Sequence, residues 1–229
     1  MPSEIILSVL KFDVLGSPHI GNYGVVSNRY LITLEELGRK KLERMEAVFR
    51  VKTIGIRLIN CRIIRPFFAG NSNGLLVSKI VEEDILNLLK RSLSGIRVEV
   101  LDTKYTAVGN LITANDKGCI VSPIFSKKEI KVIKDVLDVE VSQIPISKVS
   151  YVGSLLRANN KGGLVTPYAE DDEIDEARKI LGIRIHRGTV NSGIHFISAG
   201  ILVNDYGLLV GELTDGIELM NMSETFGVT

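Results

Sequence analysis

An asparagine-opened turn returns along this chain at a nearly constant interval, and that interval decides what the chain can fold into. The clearest copy is Val108 to Pro123, VGNLITANDKGCIVSP. It reads as a β-hairpin: an apolar strand, a tight turn at Asn115-Asp116-Lys117-Gly118, and a second apolar strand ended by proline. The pattern recurs at Val152 to Pro167 (VGSLLRANNKGGLVTP) and Ser198 to Gly211 (SAGILVNDYGLLVG), with shorter versions at Phe67 to Ser78 and Ile20 to Thr33. The Asn opening each turn falls at 28, 71, 115, 159 and 204, so the intervals are 43, 44, 44 and 45 residues. Five such copies account for nearly all of the 229 residues. Gly74, Gly118, Gly162 and Gly207 each stand three residues after the Asn, where a tight turn calls for positive φ.

A helix signal follows each hairpin. Thr33 and Glu36 form a capping-box pair ahead of Leu37, Leu42, Met45 and Phe49. Glu82, Glu83 and Asp84 open the second helix, where the dipole favours negative charge. Ser126 with Glu129 opens the third, and Glu170-Asp171-Asp172-Glu173 the fourth. The fifth, Thr214 to Phe226, has the weakest pattern. Strands then follow at about Lys52–Ile59, Ile96–Leu101, Val139–Ile144 and Ile183–Val190, but none follows the fifth helix. A spare strand lies at the start, Ile5–Phe12. The economical reading is a single α/β domain over residues 1–229: five strand–strand–helix–strand units in a closed ring, the N-terminal strand completing the last. Closure hides sheet edges that otherwise invite pairing with other chains.

Composition excludes several functions. A net charge of +1 gives no global case for nucleic acid, although residues 1–115 are basic (16 Lys/Arg, 11 Asp/Glu) and the rest acidic. Two cysteines are too few for a disulfide framework. The start, Met1-Pro2-Ser3-Glu4, lacks the positive charge of a signal peptide, and no apolar run reaches the roughly 20 residues of a membrane span. A cytoplasmic protein is expected. No segment fits a P-loop or a dinucleotide fingerprint. His19, His186 and His195 lie in different units without metal-ligand spacing, and His195 reads as a strand residue. No catalytic, cofactor-binding or metal-binding set emerges.

A ring of five such units resembles the pentein, or five-bladed α/β propeller, architecture. In detail the chain resembles the archaeal translation initiation factor 6 family. The matching stretches are Cys61-Arg62-Ile63-Ile64, Gly70 to Val77, Gly109-Asn110 with Asn115-Asp116, Asn160 to Val165, Gly188 to Gly193, and Ala199-Gly200 through Asp205. Their order over about 190 residues makes the match specific. The resemblance implies a binding protein without cofactor that sits on the intersubunit face of the large ribosomal subunit, against a ribosomal protein beside the sarcin–ricin loop. It would block the small subunit sterically. The architecture also hosts enzymes acting on guanidino compounds, but these use a late Cys nucleophile, and here no Cys follows Cys119. An RNA-binding module is a third class, and it would want basic surface with aromatic platforms.

Five-fold geometry places equivalent residues at one end of a ring. The residue after the hairpin glycine is Asn22, Asn110 and Ser154 in units one, three and four. Arg65 and Ser198 replace that glycine in units two and five, followed by Pro66 and Ala199. A ribosome-binding rim of Asn22, Arg62, Arg65, Asn110 and Ser154 is expected, the arginines reaching a carboxylate or a ribosomal RNA phosphate. On that view Asn110→Lys or Arg65→Glu weakens binding and leaves unfolding unchanged. Equally open is that these residues only cap strand ends or line a central channel. A closed ring needs no partner to hide its edges, so a monomer is expected.

Overall fold

The computed structural model describes residues 8–228. Strand β1 (Val9–Phe12) comes first. Unit one has a 3₁₀ turn (Ile20–Tyr23), β2 (Gly24–Val26), β3 (Leu31–Leu34), α1 (Arg39–Phe49) and β4 (Thr53–Ile56). Unit two repeats this as a 3₁₀ turn (Arg65–Phe67), β5 (Phe68–Gly70), β6 (Gly74–Ser78), α2 (Glu83–Ser92) and β7 (Arg97–Leu101). Unit three has a one-turn helix α3 (Val108–Leu111), β8 (Ile112–Ala114), β9 (Gly118–Val121), α4 (Lys127–Leu137) and β10 (Glu140–Gln143). Unit four has α5 (Val152–Leu155), β11 (Leu156–Ala158), β12 (Gly162–Val165), α6 (Asp171–Leu181) and β13 (Arg184–Arg187). Unit five has α7 (Ile197–Gly200), β14 (Ile201–Val203), β15 (Leu208–Gly211) and α8 (Gly216–Phe226). The stretches Val108–Leu111 and Val152–Leu155, expected as strand, are thus helical turns leading into a three-residue strand.

Every unit is a three-stranded mixed sheet: an antiparallel hairpin whose second strand pairs in parallel with the strand after the helix. In unit five that third strand is β1, with Val9 opposite Leu208 and Phe12 opposite Gly211. The N-terminal strand therefore completes the last unit and closes the ring. Residues 5–7 of the expected strand lie outside the described residues.

Apolar helix residues face inward as their spacing requires. Met45, Val48 and Phe49 of α1, Ile133, Val136 and Leu137 of α4, and Ile174, Ala177 and Leu181 of α6 are buried. Full burial of a side chain of this size is worth roughly 1.5–3 kcal/mol. Capping boxes start α4 (Ser126, Glu129), α6 (Glu170, Glu173) and α8 (Asp215, Glu218). The acidic run 170–173 is thus a helix start. The expected box at Thr33 and Glu36 does not form. Thr33 is fully buried in β3, where its hydroxyl donates to the Tyr23 carbonyl, and α1 begins only after Gly38.

The turn asparagines are the joints between units. Nδ2 of Asn115 donates to the carbonyls of Asn159 and Leu181, while its Oδ1 accepts from the backbone of Lys117 and Gly118. Asn71, Asn159 and Asn204 repeat the pattern, each reaching the last carbonyl of the next unit's helix, one of the groups a helix leaves unpaired. In unit one the equivalent residue is Ser27, not Asn28: Ser27 Oγ accepts from Arg29 and Tyr30, and its carbonyl receives Asn204. The first interval is therefore 44 residues. A serine cannot span to the next helix, so that contact is missing in unit one; Arg29, at the place of Lys117 and Lys161, donates to the carbonyls of Ser72, Ser94 and Gly95 as those lysines do to their neighbouring units. The four glycines after the turns do not have positive φ. A Cβ on Gly74, Gly118, Gly162 or Gly207 would strike the carbonyl of Val136, Ile180, Thr225 or Val48 in the neighbouring helix. They are glycines because the next unit comes so close.

Candidate functional site

The inner strands run between two ends of the ring, the Asn turns at one and the five short helical turns at the other. Around the second end each short turn packs on the next, and the last packs on the first. Closeness is again set by glycine. A Cβ on Gly109 would strike the Arg65 carbonyl, one on Gly153 the Gly109 carbonyl, and one on Gly21 the Ser198 carbonyl. Units two and five carry side chains there, and both turn inward. The Arg65 guanidinium donates to the Gly109 and Gly153 carbonyls, both at 2.7 Å, and to Ser198 Oγ at 3.2 Å. Ser198 Oγ donates to the Gly153 carbonyl at 2.6 Å. Arg65 is 3% exposed and closes the axis at this end.

The predicted residues separate in space. Asn22, Asn110 and Ser154, with Pro66 and Ala199, form a half-buried ring just outside the Arg65 layer. Arg62 is exposed and pairs with Glu36 at 3.1 Å. Arg65 is not at the rim: it lies beneath it, its two terminal nitrogens donating to backbone carbonyls and to Ser198 Oγ. Arg65→Glu would set a carboxylate against those carbonyls, so the expectation of unchanged unfolding does not hold for this variant.

An aromatic cluster beside the ring escaped the sequence reading. Tyr151 and Phe196, both partly exposed, immediately precede α5 and α7. Their ring centroids are 6.3 Å apart, His195 lies 4.4 Å from Phe196, and Tyr168, 67% exposed, lies 5.4 Å from His195. His195 is therefore a loop residue in a stack of rings, not a strand residue. The signal was present: aligned on the short turns, positions 19, 64, 107, 151 and 196 correspond, and the last two are aromatic.

Acidic helix starts hold the loops that lead into this end. The Glu173 carboxylate accepts from the backbone of Ser147 and Lys148, both with left-handed φ. Glu218 accepts from Ser192, Gly193, Asp215 and Thr189 Oγ1, and Glu82 from Ile59. Burial pushes the Glu218 carboxyl up, but these donors outweigh it and hold it below the usual carboxylate range. The backbone strain of left-handed residues, about 1 kcal/mol each, is offset where the carboxylates grip.

Cys119 is fully buried, and burial pushes its thiol well above the ordinary value. Cys61 donates to the Ile63 carbonyl. Among the described residues no group of three or more His, Cys, Asp or Glu is placed to hold a metal, and no helix is long and apolar enough to cross a membrane.

The eIF-6 family model matches residues 9–225. Translation initiation factor 6 of Pyrococcus furiosus is 38% identical over 225 residues, covering 96% of this chain and 99% of that protein. The factor of the same name from Thermococcus onnurineus is 36% identical with the same coverage, and that of Aeropyrum pernix is 33% identical over 96% of this chain and 95% of its own. Among solved structures, a dimethylarginine dimethylaminohydrolase adduct aligns with a TM-score of 0.48 at 12% identity, over 74% of this chain and 68% of that one. A family model spanning almost the whole chain, with relatives matched end to end, establishes that the chain belongs to the eIF-6 family, whose members are named translation initiation factors.

Proposed function

We propose that this translation initiation factor docks the end formed by its short turns on the intersubunit face of the large ribosomal subunit and so keeps the small subunit away. The observation that carries this reading is the aromatic cluster of Tyr151, His195, Phe196 and Tyr168 lying beside a half-buried ring of small polar groups. Exposed aromatic anchors next to a hydrogen-bonding rim are the makings of a protein–protein interface. The expected partner is the ribosomal protein beside the sarcin–ricin loop. Asn22, Asn110 and Ser154 offer it hydrogen bonds, Arg62 can exchange Glu36 for a ribosomal RNA phosphate, and Arg65 keeps the ring rigid from beneath. The mechanism is exclusion by volume, and we read the chain as a cytoplasmic, monomeric, non-catalytic protein needing no cofactor.

Co-sedimentation with isolated large and small subunits, followed by light scattering of their joining, tests this. Wild type should bind the large subunit alone and suppress joining. Asn110→Lys should weaken binding about tenfold, and Tyr151→Ala with Phe196→Ala at least as much, since hot-spot aromatics contribute roughly 1–2 kcal/mol or more. Thermal unfolding should stay near wild type. Binding to neither subunit, or wild-type affinity in both variants, removes this end from the interface.

A further inference from the structure

We propose that the outward face of α8 binds a basic amphipathic helix of the large-subunit protein on which the short-turn end docks. This deepens the docking reading above and rests on it. In four of the five units the outward positions of the long helix are charged or polar. Aligned on the residue that opens each helix (Gly38, Glu82, Ser126, Glu170 and Asp215), Ile217 corresponds to Lys40, Asp84, Lys128 and Asp172, and Met220 to Glu43, Asn87, Lys131 and Asp175. All eight of these equivalents are exposed. In α8 the same two positions are apolar and still face solvent, Ile217 at 71% exposure and Met220 at 63%. They stand three residues apart, neighbours on one helix face. Leu213, 61% exposed, lies just ahead of the helix. Ile217 also lines a groove of about 230 Å³ together with Leu164, Gly188, Asn221 and Met222. A contiguous apolar patch of this kind marks an interaction surface.

Continuity and charge name the partner. Leu213 holds in unit five the place that Tyr168 of the aromatic cluster holds in unit four, 45 residues earlier. Ser192 Oγ donates to the Leu213 carbonyl at 2.6 Å, and the chain runs from Ser192 through Gly193 and Ile194 to His195 and Phe196. The stripe thus begins at the end where the aromatic rings lie and continues down the outside of the ring. The charges carried by this unit are almost all of one sign. From Gly188 to Thr229 there is no Lys or Arg, against five carboxylates, Asp205, Glu212, Asp215, Glu218 and Glu224. Asp205 is engaged by the Asn turns and Glu218 by the loop it holds. Glu212, Asp215 and Glu224 are exposed and in no ion pair among the described residues. The closing strand β1 adds Lys11, and Lys161, Arg178, Arg184 and His186 share a groove with Glu224 at the last turn of α8. The acidic character is therefore concentrated at Glu212 and Asp215, where the stripe begins. Such a face suits a helix with apolar residues along one side and Lys or Arg beside them, the opposite charges fixing its orientation. RNA, the other material of a ribosomal surface, is repelled by the same carboxylates.

The test uses the whole chain and purified large subunits. Ile217→Lys with Met220→Lys installs the side chains that Lys128 and Lys131 carry at the equivalent positions of α4, so the melting temperature should stay near wild type. In co-sedimentation this double variant should bind about tenfold or more weakly than wild type. Glu212→Gln should lose less and show a shallower dependence on salt. Lys128→Ala with Lys131→Ala, the matched pair on α4, should bind as wild type. A photoreactive phenylalanine analogue in place of Met220 should cross-link to a Lys- and Arg-rich helical segment of a subunit protein, and this arm decides alone if the double variant fails to fold. Wild-type affinity in the double variant, or cross-links to RNA alone or to nothing, overturns the proposal while the docking reading stands. Wild type that binds neither subunit removes both. Wild type that dimerises in light scattering, with Ile217→Lys restoring the monomer, assigns the stripe to a second copy of the chain and likewise overturns the proposal.

Discussion

Asn159 serves four backbone groups at once: Nδ2 donates to the carbonyls of Asn204 and Phe226, and Oδ1 accepts from Lys161 and Gly162. Asn159→Ala leaves all four buried or strained, so a loss on the order of 3 kcal/mol is expected in urea unfolding. Gly162→Ala should cost a comparable amount by a different route, because its Cβ would meet the Thr225 carbonyl. Combining the two should give less than the sum of their losses, since both loosen the same joint between units four and five. The residue scale is also where the sequence misleads. Asn28 carries the right residue type one place late, and only the hydrogen bonds of Ser27 reveal the slip. Turn glycines suggest positive φ, whereas the actual demand comes from the helix of the neighbouring unit, far away in the chain. Local pattern does not carry that information. Arg65 fails for a similar reason: a ring position predicts its height along the axis, not whether the side chain turns in or out.

At the scale of elements, helix starts were legible wherever a capping pair or an acidic run precedes the apolar stripe, as at Ser126 and Glu170. Unit one failed because Thr33 and Glu36 imitate a capping box inside a strand whose burial decided the outcome. The helix starts do more than cap. Glu218 links the start of α8 to the Ser192–Gly193 turn, and its carboxyl is held below the usual range. A depressed carboxyl stabilises the fold above its unfolded value, about pH 4.3, and loses that contribution as pH falls through the folded value. Wild type should therefore show a steeper fall in urea midpoint below about pH 4.3 than Glu218→Gln, which should be weaker at pH 7 and flatter in acid. Parallel curves for the two proteins would remove Glu218 from the acid sensitivity. The short turns were the least legible elements. Four residues such as VGNL have strand-like composition, and packing against the two neighbouring turns of the ring accompanies their helical form.

For the whole molecule, the 44-residue interval carried the architecture. Equal units in equal contact, with an orphan strand at one end and a missing one at the other, leave a closed ring as the simplest solution. What the interval could not supply is where the symmetry is broken, by Tyr30, Arg157, Arg65 and the aromatic cluster, because broken symmetry is a property of single sites. We propose that the five units unfold as one domain. Removing residues up to Phe12 should expose the β15 edge, abolish a single sharp transition and promote aggregation. A truncated chain with an unchanged melting curve would show that the seam is dispensable. The seam also sets a clock. Asn joints between successive units span 44 or 45 residues, whereas the joint from Asn204 to Ser27 spans 177. Loop-closure entropy favours the short spans first, and long-range pairings form slowly. As the chain emerges during its synthesis, an open arc of four units can assemble behind it, and only when β15 arrives can the first strand find its place. Pulse-labelled hydrogen exchange should accordingly protect the amides of β9 and β12 before those of β1, making the meeting of the chain's two ends its last act of folding.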